Sequence, residues 1–198
     1  MKKGRLEAFS DGVIAIIITI MVLEIKVPEG TNLHTLAPII PKFMSYALSF
    51  TFVGIYWNNH HHLFQAIKQV NGKIMWANLN LLFWLSLFPV AAGWMGEHHF
   101  SLWPVVVYGI VLCLAATAYL ILMLMIKNTQ GSNSLIVEAI GKDIKGKISV
   151  CGYVLGIALS FIVPWLGAAL YSAVAAFWFV PDKRIERVMA AVEAGQEG

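Results

Sequence analysis

Apolar residues in this chain fall into long runs separated by short polar segments. A helix needs ~20 mostly apolar residues to cross a bilayer. Runs of that kind cover residues 8–27, 38–57, 74–95 and 102–126. The first of them ends before Pro28. The apolar stretch from Ile148 to Val180 is too long for one crossing, and Pro164 divides it into 148–163 and 165–180. Proline does this because it has no N–H for the helix and clashes with the preceding turn. The pattern therefore predicts an all-α integral membrane protein with six transmembrane helices per subunit, a single domain over residues 1–198.

Composition strengthens this reading. The chain is 59% hydrophobic and 13% charged, with a mean hydropathy of +0.72. Soluble domains run at roughly 45–50% apolar and about 25% charged. The excess has to face lipid, and six crossings nearly use up 198 residues. The basic start Met1–Arg5 resembles a leader peptide, but the apolar run after it is long, lacks a small-residue cleavage site and carries Asp11; it is expected to be the first membrane helix. Cys113 and Cys151 lie inside apolar runs and are expected to be free, buried thiols.

Lys and Arg orient the helices. Lys2, Lys3 and Arg5, then Lys68 and Lys73, then Lys127, Lys142, Lys145 and Lys147, then Lys183, Arg184 and Arg187 all fall on one side of a six-span protein. The other side holds only Lys26 and Lys42. Cytoplasmic loops carry the positive excess, so both termini are expected in the cytoplasm. Trp57, Trp76, Trp94, Trp103 and Trp178 sit near the expected helix ends, where aromatic belts form. The polar tail after Val180 reads as a short amphipathic surface helix.

Candidate chemistry concentrates in the first helix. An acid in a membrane helix points to function by default, and Asp11 lies near the cytoplasmic end of this one. At ~100° per residue, Gly12, Ile16, Thr19 and Leu23 form one narrow stripe, and Asp11 projects more than ~100° from its centre. If that stripe lines a pore, Asp11 faces neighbouring helices and holds the helix in place. From periodicity alone, ordinary helix packing or lipid contact explains the stripe as well.

A second polar cluster is Tyr56-Trp-Asn-Asn-His-His-His62. Consecutive helical residues point ~100° apart, so the three histidines do not readily share a metal. His98 and His99 lie on the other side of the membrane in this topology. A structural polar network is the expected role, joining Arg5, Ser10 and Asp11 to Asn58, His61 or His62 at the cytoplasmic ends of helices 1 and 2. Gly152, Gly156 and Ser160 put small residues on one helix face and suggest close packing. Phosphate-binding loops, dinucleotide fingerprints, zinc spacings and the Thr-Val-Gly-Tyr-Gly filter are missing from the sequence.

Arg5, Phe9, Ser10, Asp11 and Gly12, leading into an Ile/Leu-rich helix, resemble the first helix of the bacterial homologues of transmembrane protein 175, whose hallmark is Arg-x-x-x-Phe-Ser-Asp. The Trp57–His62 segment is similar to the end of that family's second helix. The resemblance implies a potassium-permeable homotetrameric channel without a P-loop filter, in which helix 1 of each subunit lines a central pore. Ile16 would form the apolar constriction and Leu23 an outer ring, with Thr19 or Ile20 between them; Gly12 would line a wider inner mouth. It also implies a multi-pass protein of the bacterial inner membrane. Its partners would be further copies of itself, the lipid bilayer and monovalent cations, with no nucleic acid; it would need no cofactor beyond permeant potassium and no resident metal.

Two other classes compete with this reading. A secondary or proton-coupled transporter needs ionisable residues near the midplane and often broken helices. The interiors of helices 3 and 4 carry no charged residue. A membrane-embedded enzyme or haem protein would use the histidines as ligands, and their positions argue against it.

Overall fold

The structure, a computed structural model, describes residues 3–65, 67, 69–130 and 144–179. Its helices are α1 (Lys3–Leu23), α2 (Ile40–Gln65), α3 (Gly72–Ser86), α4 (Phe88–Glu97), α5 (Leu102–Gln130), α6 (Ile144–Ser160) and α7 (Pro164–Trp178). A 3-10 helix over Leu33–Ile39 leads into α2. Lys2, Lys68, Lys142, Lys183, Arg184, Arg187 and the expected amphipathic tail lie outside the described residues.

Among the described residues, four helical stretches are long and apolar enough to cross a membrane: Lys3–Leu23, Leu33–Gln65, Gly72–Glu97 and Leu102–Thr129. Helices α6 and α7 are apolar but shorter, at 17 and 15 residues. The protein is thus an all-helical membrane protein of six crossing segments, α3 and α4 together forming the third.

Several boundaries differ from the sequence pattern: α2, expected to end at Trp57, runs on to Gln65 and so takes the three histidines into the helix, and two other differences bear on the site. Helix α1 starts five residues earlier than expected and ends at Leu23, so its basic first turn is helical. There Lys3 approaches Glu7 at 3.9 Å one turn on, and its Nζ donates to the Gln65 carbonyl at 3.1 Å. The third crossing is interrupted at Leu87, because Pro89 brings no N–H for the Leu85 carbonyl. Helix α3 itself starts at an Asn71 cap, whose side chain accepts from the Ile74 N–H at 2.9 Å.

The interior is aromatic. Phe88 sits edge-on to Tyr56 and Tyr108, with ring centroids 6.4 and 6.1 Å away, and Phe52 meets Tyr153 at 5.9 Å. These pairs tie α2, α4, α5 and α6 together in the edge-to-face geometry that aromatic quadrupoles favour. Tyr171 of α7 is fully buried, and the absence of side chains at Gly109 and Gly156 makes room for its ring. A Cβ at either position would collide with it. The small-residue face of α6 is therefore where α7 packs. Cys113 is half-buried and free, whereas Cys151 is free and exposed, because α6 packs on one face only.

At the end away from the N-terminus, Lys42 pairs with Glu97 at 3.2 Å, and Ser45 donates to the Ala92 carbonyl. The loop there takes His99 and Phe100 through φ of 52° and 58°. The buried Phe100 ring stacks on Trp165 at 4.4 Å, which holds this left-handed turn in place.

Candidate functional site

Helix α1 has one face locked and one face open. The locked face is Leu6, Ser10, Ile14, Ile17 and Met21, all buried. Their spacing of four, four, three and four residues is the helical repeat. Against this face pack α2, α3 and α4.

One buried polar chain runs through that packing. The Ser10 hydroxyl donates to the Leu6 carbonyl at 2.8 Å and accepts from Asn78 Nδ2 at 2.9 Å. Asn78 Oδ1 lies 2.7 Å from His60 Nε2. Since that amide oxygen only accepts, His60 carries its proton on Nε2 here. The His60 ring stacks on Phe64 with centroids 4.3 Å apart. Ser10, Asn78 and His60 are each buried to 1% exposure or less, so this chain joins α1, α3 and α2 in a region where unpaired polar groups are costly.

Asp11 is tied separately. Its carboxylate accepts from the Trp57 indole N–H at 3.1 Å, which fixes α1 to α2 one step around the helix from Ser10. Trp57 stacks on His61 with centroids 5.9 Å apart, and His61 Nε2 lies 2.8 Å from Gln65 Nε2. Arg5 and Asn58 are exposed. The His62 Nδ1 is buried without a hydrogen-bond partner among the described residues. Sequence reasoning named Ser10 and Asp11 but missed their direct partners Asn78 and Trp57, and His60 joins the chain only through Asn78. An Asn in an otherwise apolar membrane helix was the available signal for Asn78, since such a side chain needs a partner.

The open face carries the stripe of the first helix. Gly12, Ile16, Thr19, Ile20 and Leu23 are all exposed. Ile16 is 57% exposed and Leu23 78%, and a Cβ added at Gly12 would meet nothing within 4 Å. Thr19 donates its hydroxyl to the Ile16 carbonyl at 2.8 Å. Its proton is thereby committed to the backbone, which leaves the oxygen of this exposed residue able to accept. The arrangement can present an apolar surface with one accepting oxygen to whatever lies beside α1.

This is a polytopic helical membrane protein whose first helix is braced from behind by its own chain and left uncovered in front. The family model described as endosomal/lysosomal potassium channel TMEM175 matches residues 5–89, which contain both faces of α1 and the whole Ser10–Asn78–His60 chain. A potassium channel of Chryseobacterium sp. (strain P1-3) is 59% identical over 187 residues, 94% of this chain and 97% of that one. An endosomal/lysosomal proton channel TMEM175 of Mus musculus is 33% identical over 103 residues, 46% of this chain and 21% of that protein. The crystal structure of a lysosomal potassium-selective channel TMEM175 homolog from Chamaesiphon minutus matches with a TM-score of 0.76 at 27% identity, covering 90% of this chain and 96% of that one. The chain belongs to the TMEM175 family. It is a multi-pass membrane protein, and in a bacterium that membrane is the cell membrane.

Proposed function

We propose that copies of this chain, four in number, assemble around α1 into a passive potassium-permeable channel with both termini in the cytoplasm and no P-loop filter. One observation carries the reading: the Gly12/Ile16/Thr19/Leu23 face is uncovered while the opposite face of the same helix is locked. A single six-helix subunit cannot readily enclose a pore with one helix, so several subunits supply the wall. The names and structure of the relatives support the ion and the transport class.

In this reading Ile16 forms the constriction. A ring of isoleucines narrow enough to expel water is itself a barrier to ions. Thr19, one turn further out, offers its oxygen to a cation that has shed part of its hydration shell. Leu23 forms an outer apolar ring, Ile20 stands at the edge of the stripe, and Gly12 leaves a wider inner mouth. The locked face matters equally, because a constriction selects only if its ring holds position. The ties from Ser10 and Asp11 to α2 and α3 set the rotation of α1.

The test is potassium against sodium flux through purified protein in liposomes, with no proton gradient imposed. Passive potassium flux exceeding sodium flux is expected, and Ile16→Asn should raise conductance and lower selectivity together. If Ile16→Asn leaves both unchanged, Ile16 is not the constriction.

A proton-coupled transporter is the second reading, favoured by the interruption of the third crossing at Leu87, since discontinuous helices often mark transport sites. The residues there, Ser86 to Pro89, include no ionisable side chain. Flux that saturates and requires an imposed proton gradient would move the assignment to that class.

A further inference from the structure

A groove opens between the first turns of α3 and the last turns of α5, at the membrane end shared with the start of α1. It measures about 990 Å³ and opens to the protein surface. Its mouth is polar, with Asn71, Lys73, Asn128 and Thr129. Deeper in the membrane its floor is mostly apolar, formed by Ala77, Ile121 and Met125 with Asn80 beside them. Trp76, 70% exposed, stands on one wall about a turn below the mouth, at the level where indoles settle among headgroups.

We propose that this groove binds one anionic phospholipid of the leaflet at the N-terminal end, its headgroup phosphate at Lys73 and one acyl chain along the Ala77–Ile121–Met125 floor. The chemistry of the mouth is that of an anion site. Lys73 is basic, and none of the described lining residues is acidic. Asn71 Nδ2 donates to Thr129 Oγ1 at 3.1 Å, which braces the two helices and leaves the second amide hydrogen of Asn71 to turn elsewhere. The Gly72 and Lys73 backbone N–H groups head α3, where no helical carbonyl can reach them. A groove that is basic at the headgroup level and mostly apolar below it matches the profile of a phospholipid. The lysine-rich side of the protein is also where anionic headgroups are attracted.

Bromine on acyl chains quenches tryptophan at contact, so Trp76 reports occupancy. The full-length protein is reconstituted with brominated phosphatidylglycerol or brominated phosphatidylcholine at graded mole fractions. The Trp76 signal is the difference between wild type and Trp76→Phe. Half-quenching is expected at a mole fraction of the anionic lipid roughly five-fold lower than of the zwitterionic one, the scale of one lysine at a membrane surface. Lys73→Gln should abolish that preference while leaving the emission maximum and thermal stability unchanged. Inorganic phosphate at constant ionic strength should leave it in place.

Equal quenching by both lipids, or a preference that survives Lys73→Gln, overturns the proposal. Absence of Trp76 quenching by either lipid overturns it too, and would mean that protein, such as a neighbouring subunit, covers the groove. Loss of the preference on adding phosphate would reassign the site to a soluble anion. None of these readouts depends on ion flux, so the channel reading stands or falls separately.

Discussion

The buried and exposed faces of α1 are made of nearly the same material. Ile14 and Ile17 lie on one, Ile16 and Ile20 on the other. Hydrophobicity does not separate them, and in a membrane it could not, because lipid tails are as apolar as leucine. What separates them is who their neighbours are. The buried face meets close-packed side chains of the same subunit and carries one serine, which the chain satisfies fully through Leu6 and Asn78. The exposed face is largely left open by the subunit and carries a glycine and a threonine whose hydroxyl bonds back to the Ile16 carbonyl. In a membrane helix, then, two faces of like composition are told apart by what the subunit packs against them.

The strongest way to break the locked face is Asn78→Leu. It strips His60 of its partner in a buried site and takes an acceptor role from Ser10. An orphaned buried polar group costs about 1–3 kcal/mol, and two neighbours are affected here, so a loss of about 3 kcal/mol is expected. Thermal unfolding in detergent should show it as a large drop in midpoint. An unchanged midpoint would mean that the network contributes nothing to holding α1.

Next in size is a matched pair on the two faces. Ile14→Ala removes three carbons from a site that is 1% exposed, and the unfilled space should cost on the order of 2 kcal/mol. Ile16→Ala makes the same chemical change on the open face and should shift stability by less than about 0.5 kcal/mol. Flux should reverse the order, with Ile16→Ala altering conductance far more per folded molecule than Ile14→Ala does. Equal stability losses in the assembled protein would show that both faces are packed alike.

Much of this division was legible in the sequence. Run lengths and Pro164 predicted the crossings, and the 3.6-residue repeat placed Gly12, Ile16, Thr19 and Leu23 on one stripe. It could not say whether the stripe was covered, because the same periodicity describes packing, lipid contact and a pore wall. The partners of Ser10 and Asp11 were less legible. Asn58, His61 and His62 were nearer candidates by residue type, but His60 is the histidine that turns inward, and Asn78 arrives from a third helix whose rotation no local pattern reveals. The interruption at Leu87 was readable from Pro89, but an unbroken apolar run concealed it. The early start of α1 went unread because hydropathy marks the lipid-facing core, not where helical hydrogen bonding begins.

A smaller effect separates the two ties of α1. Trp57→Phe keeps an aromatic ring beside His61 and removes only the N–H that Asp11 accepts. The pair is partly exposed, so the loss should be about 1 kcal/mol, well below that of Asn78→Leu. If Asp11 anchors the rotation of α1, potassium-to-sodium selectivity should fall more than stability does. A stability loss with selectivity untouched would make the Trp57 tie purely architectural and leave the Ser10 chain as what sets the helix's rotation.

The smallest expected effect lies on the open face itself. Thr19→Val keeps shape and β-branching and removes one oxygen. The hydroxyl's bond to the Ile16 carbonyl is local and exposed, and that carbonyl keeps its place in the helix, so stability should move by less than about 0.5 kcal/mol. If the lone pairs of Thr19 meet a cation next to the Ile16 ring, losing them removes a contact of hydrogen-bond size. Potassium flux should then fall roughly two- to five-fold, the range that about 0.5–1 kcal/mol gives at room temperature. Measuring the same variant in a background of Ile16→Asn sharpens the result. A polar ring at position 16 supplies oxygens of its own, so the Thr19 effect should shrink there. Two fully additive effects would separate the residues, placing Thr19 off the ion path and shifting the inner wall of the pore towards Ile20.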